Sequence, residues 1–185
     1  LKRGVATTDF ALSASVGQTP VRFCRDKFFP KSQLEAMGKF LALFHKYGWI
    51  YKPLYSEGGW ISANEKWALT DSEILKAVAC VHPKHFLGAR AGKATRFGVL
   101  DIDAGSKYHN VKQLGRILEA LAKAGISETS IYRSSDSGGW HVYLFFDEPI
   151  SSRDLRAQLV QLLRLSGFDI AKGTLEVFPA PGDGR

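Results

Sequence analysis

Cysteine is nearly absent. Cys24 and Cys80 are the only two among 185 residues, far apart and without a paired spacing. No disulfide framework is expected, which suits a reducing, cytoplasmic setting. No apolar run approaches the roughly 20 residues that a membrane-spanning helix needs. The start, Leu1-Lys2-Arg3-Gly4-Val5, is not a signal peptide and lacks an initiator Met. The end stops just after an expected strand, so the chain reads as a fragment of a longer protein. There is no internal repeat and no low-complexity segment. Acidic residues are in the minority, 18 against 25 Lys and Arg, for a net charge of +7. That balance favours a polyanionic partner such as nucleic acid or nucleotides. Apolar residues make up 45%, enough for one domain or two small lobes.

A basic, turn-prone stretch, Gly88-Ala89-Arg90-Ala91-Gly92-Lys93-Ala94-Thr95, divides the chain. Residues 1–94 are expected to form a smaller N-terminal α/β module, and residues 95–185 a second module. In the first, Ser32 and Glu35 make a capping-box pattern before a helix to about Tyr47. Its buried stripe would be Leu34, Met37, Phe40, Leu41 and Phe44. Thr70 and Glu73 make a second box, before a helix ending near Cys80. Between them lie short strands joined at Gly58-Gly59.

The second module is more regular. Strands are expected over about 96–103, 129–135, 140–147 and 174–179. Helices are expected over about 111–124, capped by Asn110 and Gln113 and ended by Gly125, and from Pro149 and Ser151 to Ser166 and Gly167. The order β-α-β-β-α-β is the ferredoxin-like pattern, so the fold class is α+β. The first and third strands would be central, the fourth beside the first, with both helices on one sheet face.

Strand parity then sorts the polar residues. Side chains at i and i+2 share a face. Leu100 and Ile102 oppose Asp101 and Asp103; Val142, Leu144 and Phe146 oppose His141 and Tyr143; Leu175 and Val177 oppose Glu176. If the apolar sets pack on the helices, Asp101, Asp103, His141 and Glu176 share the open face. Carboxylates beside a hydrophobic sheet are costly unless compensated. Three hard oxygen ligands suit one or two divalent cations, Mg²⁺ or Mn²⁺. Paired metals about 3.5–4 Å apart support an in-line phosphoryl displacement.

The turn Ser137-Gly138-Gly139 precedes His141. Glycine permits positive φ and a close approach of main-chain amides to phosphate. Arg133, at the end of the preceding strand, and Lys172, before the last strand, are candidates for further phosphate contacts. Arg90 and Lys93 lie at the junction where nucleic acid would pass. Trp49, Tyr51, Lys52 and Tyr55 combine aromatic and basic character but read mostly as core. Cys80, His82 and His85, with a distant Cys24, do not have the paired spacings of structural zinc sites, so zinc is not expected.

These motifs resemble the archaeo-eukaryotic primase superfamily, specifically its primase-polymerase-like members. That family carries Asp-x-Asp on the first strand of an RRM-like catalytic module, matched here by Asp101 and Asp103. Its Gly-rich Ser-to-His motif on the hairpin is matched by Ser137 and His141, and its later acidic residue after a hydrophobic one by Glu176. The resemblance implies metal binding by the three carboxylates and nucleoside triphosphate binding by Ser137 and His141. It implies a DNA primase or DNA-directed polymerase using single-stranded DNA template, primer and nucleotides, with a helicase or another replication domain possible in the full-length protein. The Ser-to-His spacing here is longer than in the family's compact form, and the chain ends nine residues after Glu176.

Other classes fit less well. A non-catalytic RRM-like binding module places aromatic and basic groups on its open face, where carboxylates would repel a nucleic-acid backbone. A rolling-circle-type replication endonuclease needs a His-hydrophobic-His pair, and this sheet offers only His141. A nucleotide cyclase would carry acidic residues where Gly139 and Trp140 stand.

Overall fold

A computed structural model of the chain describes residues 31–54, 58–64, 66–79, 85–134 and 138–180. The elements begin with α1 (Lys31–Leu41), β1 (Ile50–Pro53), β2 (Ile61–Ser62), α2 (Asp71–Val78) and β3 (His85–Gly88). They continue with β4 (Ala94–Ile102), α3 (Val111–Lys123), β5 (Thr129–Arg133), β6 (Trp140–Ser151), α4 (Ser152–Leu165) and β7 (Leu175–Phe178). The fold is α+β. From β4 onward the order is β-α-β-β-α-β, and the sheet runs β5-β6-β4-β7 with every pair antiparallel. The first and third strands are central and the fourth lies beside the first, as the pattern predicts.

The core forms where parity places it. Leu100, Ile102, Val142, Leu144, Leu175 and Val177 are buried against Ile117 and Leu121 of α3 and Leu155, Leu159 and Leu163 of α4. Gly98 lets α4 come close: a Cβ there would lie 3.2 Å from Leu159 Cδ1 and 3.6 Å from Leu155 Cδ2. Caps fix the helix starts. The Asn110 side chain accepts from the Gln113 N–H, and the Ser151 hydroxyl accepts from the Asp154 N–H. Gln113 does not reciprocate; its amide oxygen accepts from Arg116 instead. Gly125 and Gly167, both at φ 84°, follow the ends of α3 and α4.

The structure corrects several expected boundaries. The strand β6 continues through Pro149 to Ser151, past the end near residue 147 that the sequence pattern predicts. Its register with β4 jumps between Thr95↔Ile150 and Phe97↔Phe145, so Pro149 falls in a bulged stretch where no ladder bond is lost. Arg96 fastens the bulge by donating to the Asp147 carbonyl. The first strand ends at Ile102, so Asp103 stands one residue beyond it. Ser32 is the second residue of α1, not its cap, and α1 ends at Leu41 rather than near Tyr47. The chain after Leu41 turns so that Phe44 meets Phe97 of β4 edge-on, with ring centroids 6.2 Å apart. The Thr70–Glu73 capping box is complete in both directions.

The first sheet has the order β2-β1-β3. Two buried polar residues tie its exit to the second sheet. The Ser152 hydroxyl donates to Gly92 O at 2.7 Å and its N–H donates to Lys93 O at 3.0 Å. Thr95 is satisfied locally, donating to Phe97 O and accepting from Phe97 N–H. No helix among the described residues is long and apolar enough to cross a membrane.

Two outcomes follow from this packing. Leu144 is fully buried in the central strand β6. Leu144→Ala should cost about 2–5 kcal/mol in urea unfolding; a loss below that range would mean that the sheet does not pack on α3 and α4 as described. Asp169 pairs with Lys107, whose hydrogen bond and then charge hold the carboxyl below its ordinary value. A depressed folded pKa stabilises above the unfolded value of about 3.9 and is lost as pH falls through the folded one. Asp169→Asn should therefore flatten the acid limb of the unfolding curve below about pH 4, an effect that high salt erases because the pair is exposed.

Candidate active site

The register of three adjacent strands assembles the site. Asp101 of β4 stands directly opposite His141 of β6 on one side and Glu176 of β7 on the other. Side chains directly opposite on antiparallel strands have Cβ atoms about 4.5–5.5 Å apart. His141 Nε2 lies 3.4 Å from Asp101 Oδ1. Both side chains are half-buried, 31% and 26% exposed. Glu176 is oriented by the turn before β7: its Oε1 accepts from the Gly173 N–H at 3.1 Å. Gly173 sits at φ 74°, a conformation that favours glycine.

The glycine turn is built against the same strand end. A Cβ on Gly139 would lie 2.9 Å from Ile102 O, 3.4 Å from Ala104 N and 2.7 Å from Ser134 Oγ. Only glycine lets the hairpin press against the segment carrying Asp103. Gly138 adopts φ 90°, and the Arg133 guanidinium lies beside it, 3.7 Å from where a Cβ would be. The turn is held from a third direction. His109 Nε2 is 2.9 Å from Gly138 O, and the His109 ring packs on Trp140 at a centroid distance of 4.1 Å.

Asp101, His141 and Glu176 thus meet on one face, with Asp103 one residue past the strand and Gly138 and Gly139 at its end. Arg133 stands opposite Trp140, which stands opposite Ile102, so its register position is on the helix-covered side; only its guanidinium reaches the turn, beside Gly138. Ser137 lies outside the described residues, as do Cys24, Cys80, His82, Tyr55 and the side chain of Leu34. Lys172 is exposed in the turn before β7 and makes no ion pair with Glu176. Arg90 lies two residues past β3 and donates to Ser62 Oγ of β2 at 3.0 Å. Lys93 is exposed at the junction, its carbonyl engaged by Ser152. His85 is in β3, edge-on to Tyr51 at 5.5 Å.

The donor set fits a divalent cation in kind. Two carboxylates face each other across β4 and β7, and Asp103 follows. They are not drawn together as they stand: among the described residues no three His, Cys, Asp or Glu converge on one point. Asp101 is turned to His141, and one oxygen of Glu176 to Gly173. Rotation of these side chains is what a cation would require.

Aromatic residues outside the expected ligand set complete the face, with Tyr143 on the side that parity gives it. Tyr132 of β5 pairs with His141, and Tyr143 follows two residues along β6. The two rings meet edge-on at 5.4 Å, and Tyr143 stacks on Phe145 at 6.0 Å. Burial pushes the Tyr143 phenol above its ordinary value, followed by the neighbouring Tyr132 and the Asp101 charge. Parity gives the face of Tyr143, but the partner of His141 depends on the turn length. Nothing in the sequence pattern points to His109, which comes from the loop before α3.

No protein-family model matches the chain, and no curated protein matches it. Among solved structures it is similar to the polymerase domain of Mycobacterium tuberculosis Ligase D in complex with DNA. The TM-score is 0.35 at 15% identity, covering 78% of this chain and 68% of that one. A likeness of that size decides neither fold nor chemistry; both rest on the registers and contacts of this chain.

Gly139→Ala tests the turn. With main chain at 2.9 Å the hairpin must move away from Ile102, and overpacking of this kind costs about 1–3 kcal/mol. Thermal unfolding of the variant should show that loss; an unchanged midpoint would mean the turn does not abut β4.

Proposed function

We propose that this chain is a nucleotidyltransferase, a DNA primase or primase-polymerase that joins nucleoside triphosphates on a single-stranded DNA template. The observation that carries the reading is the alignment of His141, Asp101 and Glu176 across β6, β4 and β7. A polar row of this composition, on a sheet whose other face carries the buried apolar core, has a cost that a cation and a phosphate ligand would offset.

Asp101, Asp103 and Glu176 are the groups to hold Mg²⁺ or Mn²⁺. A divalent cation there would supply charge stabilisation to the attacking and leaving oxygens. The chain's own residues bind and orient. His141 donates to a triphosphate oxygen, with Arg133 beside the turn as a second cation. Gly138, half-buried at the turn, offers main chain that a phosphate can approach, and Ser137, next to it in sequence, is the candidate hydroxyl. Lys172 is the outlying candidate for the same anion, and Arg90 and Lys93 line the junction on the template side. In the reaction a 3′-hydroxyl oxygen forms a bond to the α-phosphorus, the bond to the β-phosphate bridge breaks, and pyrophosphate leaves. The hydroxyl proton passes to solvent or to a neighbouring base.

One observation favours a second reading. Tyr132, Tyr143 and Phe145 share the open face with the carboxylates, and Tyr132 is 57% exposed. Aromatic rings on the open face of such a sheet stack bases in RRM-like modules that perform no chemistry.

Synthesis on single-stranded DNA with Mn²⁺ or Mg²⁺ and labelled nucleotides, with and without primer, separates the two. Product is expected, and Asp101→Ala should reduce it at least 100-fold with little change in unfolding midpoint. Product undiminished in a folded Asp101→Ala variant would sink the site. Metal-independent, salt-sensitive DNA binding with no product would favour the binding module. Within the catalytic reading, His141→Ala should raise KM for the nucleotide more than it lowers kcat.

A further inference from the structure

We infer that the outer face of the first sheet is a docking strip for single-stranded DNA, built from two exposed rings flanked by two cations. The choice of DNA rests on the template reading above. Stacking and charge select a single strand independently of that reading.

The registers define the face. Ile50 pairs with Ser62 of β2 and Gly88 of β3, and Lys52 pairs with Phe86. Residues directly opposite share a face, and so do i and i+2 along a strand. Ile50, Lys52, Ser62, Phe86 and Gly88 are therefore on one side. Trp60 joins them, since a Cβ on Gly88 would lie 3.3 Å from Trp60 Cζ3 and 2.8 Å from Ile50 Cγ1. The missing side chain of Gly88 is what lets the indole approach the sheet. Arg90 joins them at the far end by donating to Ser62 Oγ at 3.0 Å.

Along β3 the order is then a ring with a cation opposite it, Phe86 and Lys52; an indole over Gly88; and a second cation at Arg90. Successive positions on one side are about 6.5 Å apart. Phe86 is 55% and Trp60 52% exposed, although both are large apolar groups that folding usually covers. The opposite side of the sheet carries Tyr51 and Leu87, both half-buried, and Ile61, 44% exposed; on the side of the rings Ile50 and Lys52 are half-buried beneath Trp60 and Phe86. The described positions of the outer face hold no carboxylate.

Rings interleaved with cations are the pattern that binds single strands. Every base offers a face for stacking, and each phosphate a charge for Lys or Arg. A duplex keeps its bases stacked internally and cannot use the rings. This face also differs from the open face of the second sheet, where carboxylates oppose a phosphate backbone. A single strand held here reaches the junction through Arg90, which is on the strip and lies in the 89–93 connection into β4.

The test is fluorescence anisotropy of a labelled oligothymidylate with the full chain in EDTA, which removes any contribution from a cation site. Trp60→Ala and Phe86→Ala should each weaken binding about tenfold. Trp60 covers Gly88, so its variant is checked by its unfolding midpoint; Phe86, more exposed, is the safer substitution. Lys52→Gln with Arg90→Gln should reduce the slope of log affinity against log salt by about 1.4. A control pair on α3, Lys112→Gln with Lys123→Gln, should leave affinity within about twofold. Duplex of equal length should bind at least tenfold more weakly. Folded Phe86→Ala and Lys52→Gln/Arg90→Gln variants with unchanged affinity and slope would overturn the strip, as would equal loss from the control pair. Asp101→Asn separates this proposal from the catalytic one: normal binding in EDTA is expected whether or not synthesis occurs. Loss of binding in Asp101→Asn, with the strip variants unaffected, would also overturn it.

Discussion

The site depends on the antiparallel register that sets β4 between β6 and β7. Because strand side chains alternate, a slip of one residue would turn Asp101, His141 and Glu176 toward α3 and α4 and expose Leu100, Val142 and Leu175. Burial of such a side chain contributes about 1.5–3 kcal/mol. With Ile102, Leu144 and Val177 included, the slip costs on the order of 10 kcal/mol, comparable to the whole stability of a domain. The polar face is thus held in place by the apolar one. Gly98 and Gly139 tighten the same register from opposite faces, one by admitting α4 and the other by admitting the hairpin.

Such rigidity makes the electrostatics consequential. Asp101 cannot leave its row, so its charge is answered by what the neighbouring strands present: His141 at 3.4 Å on one side and another carboxylate on the other. Two carboxylates on opposed positions repel, and a cation between them changes the sign of that interaction. Further along the face the character changes. Tyr143 is surrounded by Phe97, Phe145, Tyr132 and His141, and its phenol is held in the neutral form. Charge is therefore confined to the end of the sheet that adjoins the glycine turn, and the remainder is an aromatic surface.

Most of the second sheet was legible because its signals are periodic. Alternation in Val142-Tyr143-Leu144 and Leu175-Glu176-Val177, glycines after helices and Asn110 or Ser151 before them each have a local physical cause. What was not legible depends on contacts between distant segments. The extension of β6 past Pro149 needs the bulge opposite Arg96, and the early end of α1 needs Phe97 as a partner for Phe44. The close fit of Gly139 under Ile102 and the His109 bond to Gly138 arise only once the hairpin is folded. The exposed rings of the first sheet were hidden for a related reason. Aromatic residues in short strands look like core until the register shows which side they occupy.

The distribution of burial explains how the two sheets relate. The contiguous buried cluster runs from Leu100 to Val177, whereas only Leu69 and Ile74 are buried among the hydrophobic residues described before β4. A three-stranded sheet whose outer strand has two residues cannot supply its own core. It gains support from the second sheet through Phe44 on Phe97, His45 packed over Gly92, and the buried Ser152 bonds to Gly92 and Lys93. The His45 and Ser152 contacts fall on the connection that carries Arg90 and Lys93, and Phe97 lies in β4 just beyond it. The same few residues therefore join the folding of the two sheets and stand between an aromatic, cationic face and an acidic one. A chain that binds a polyanion on the first and needs cations on the second would have to pass its ligand across this connection, and stability and function would then be coupled there.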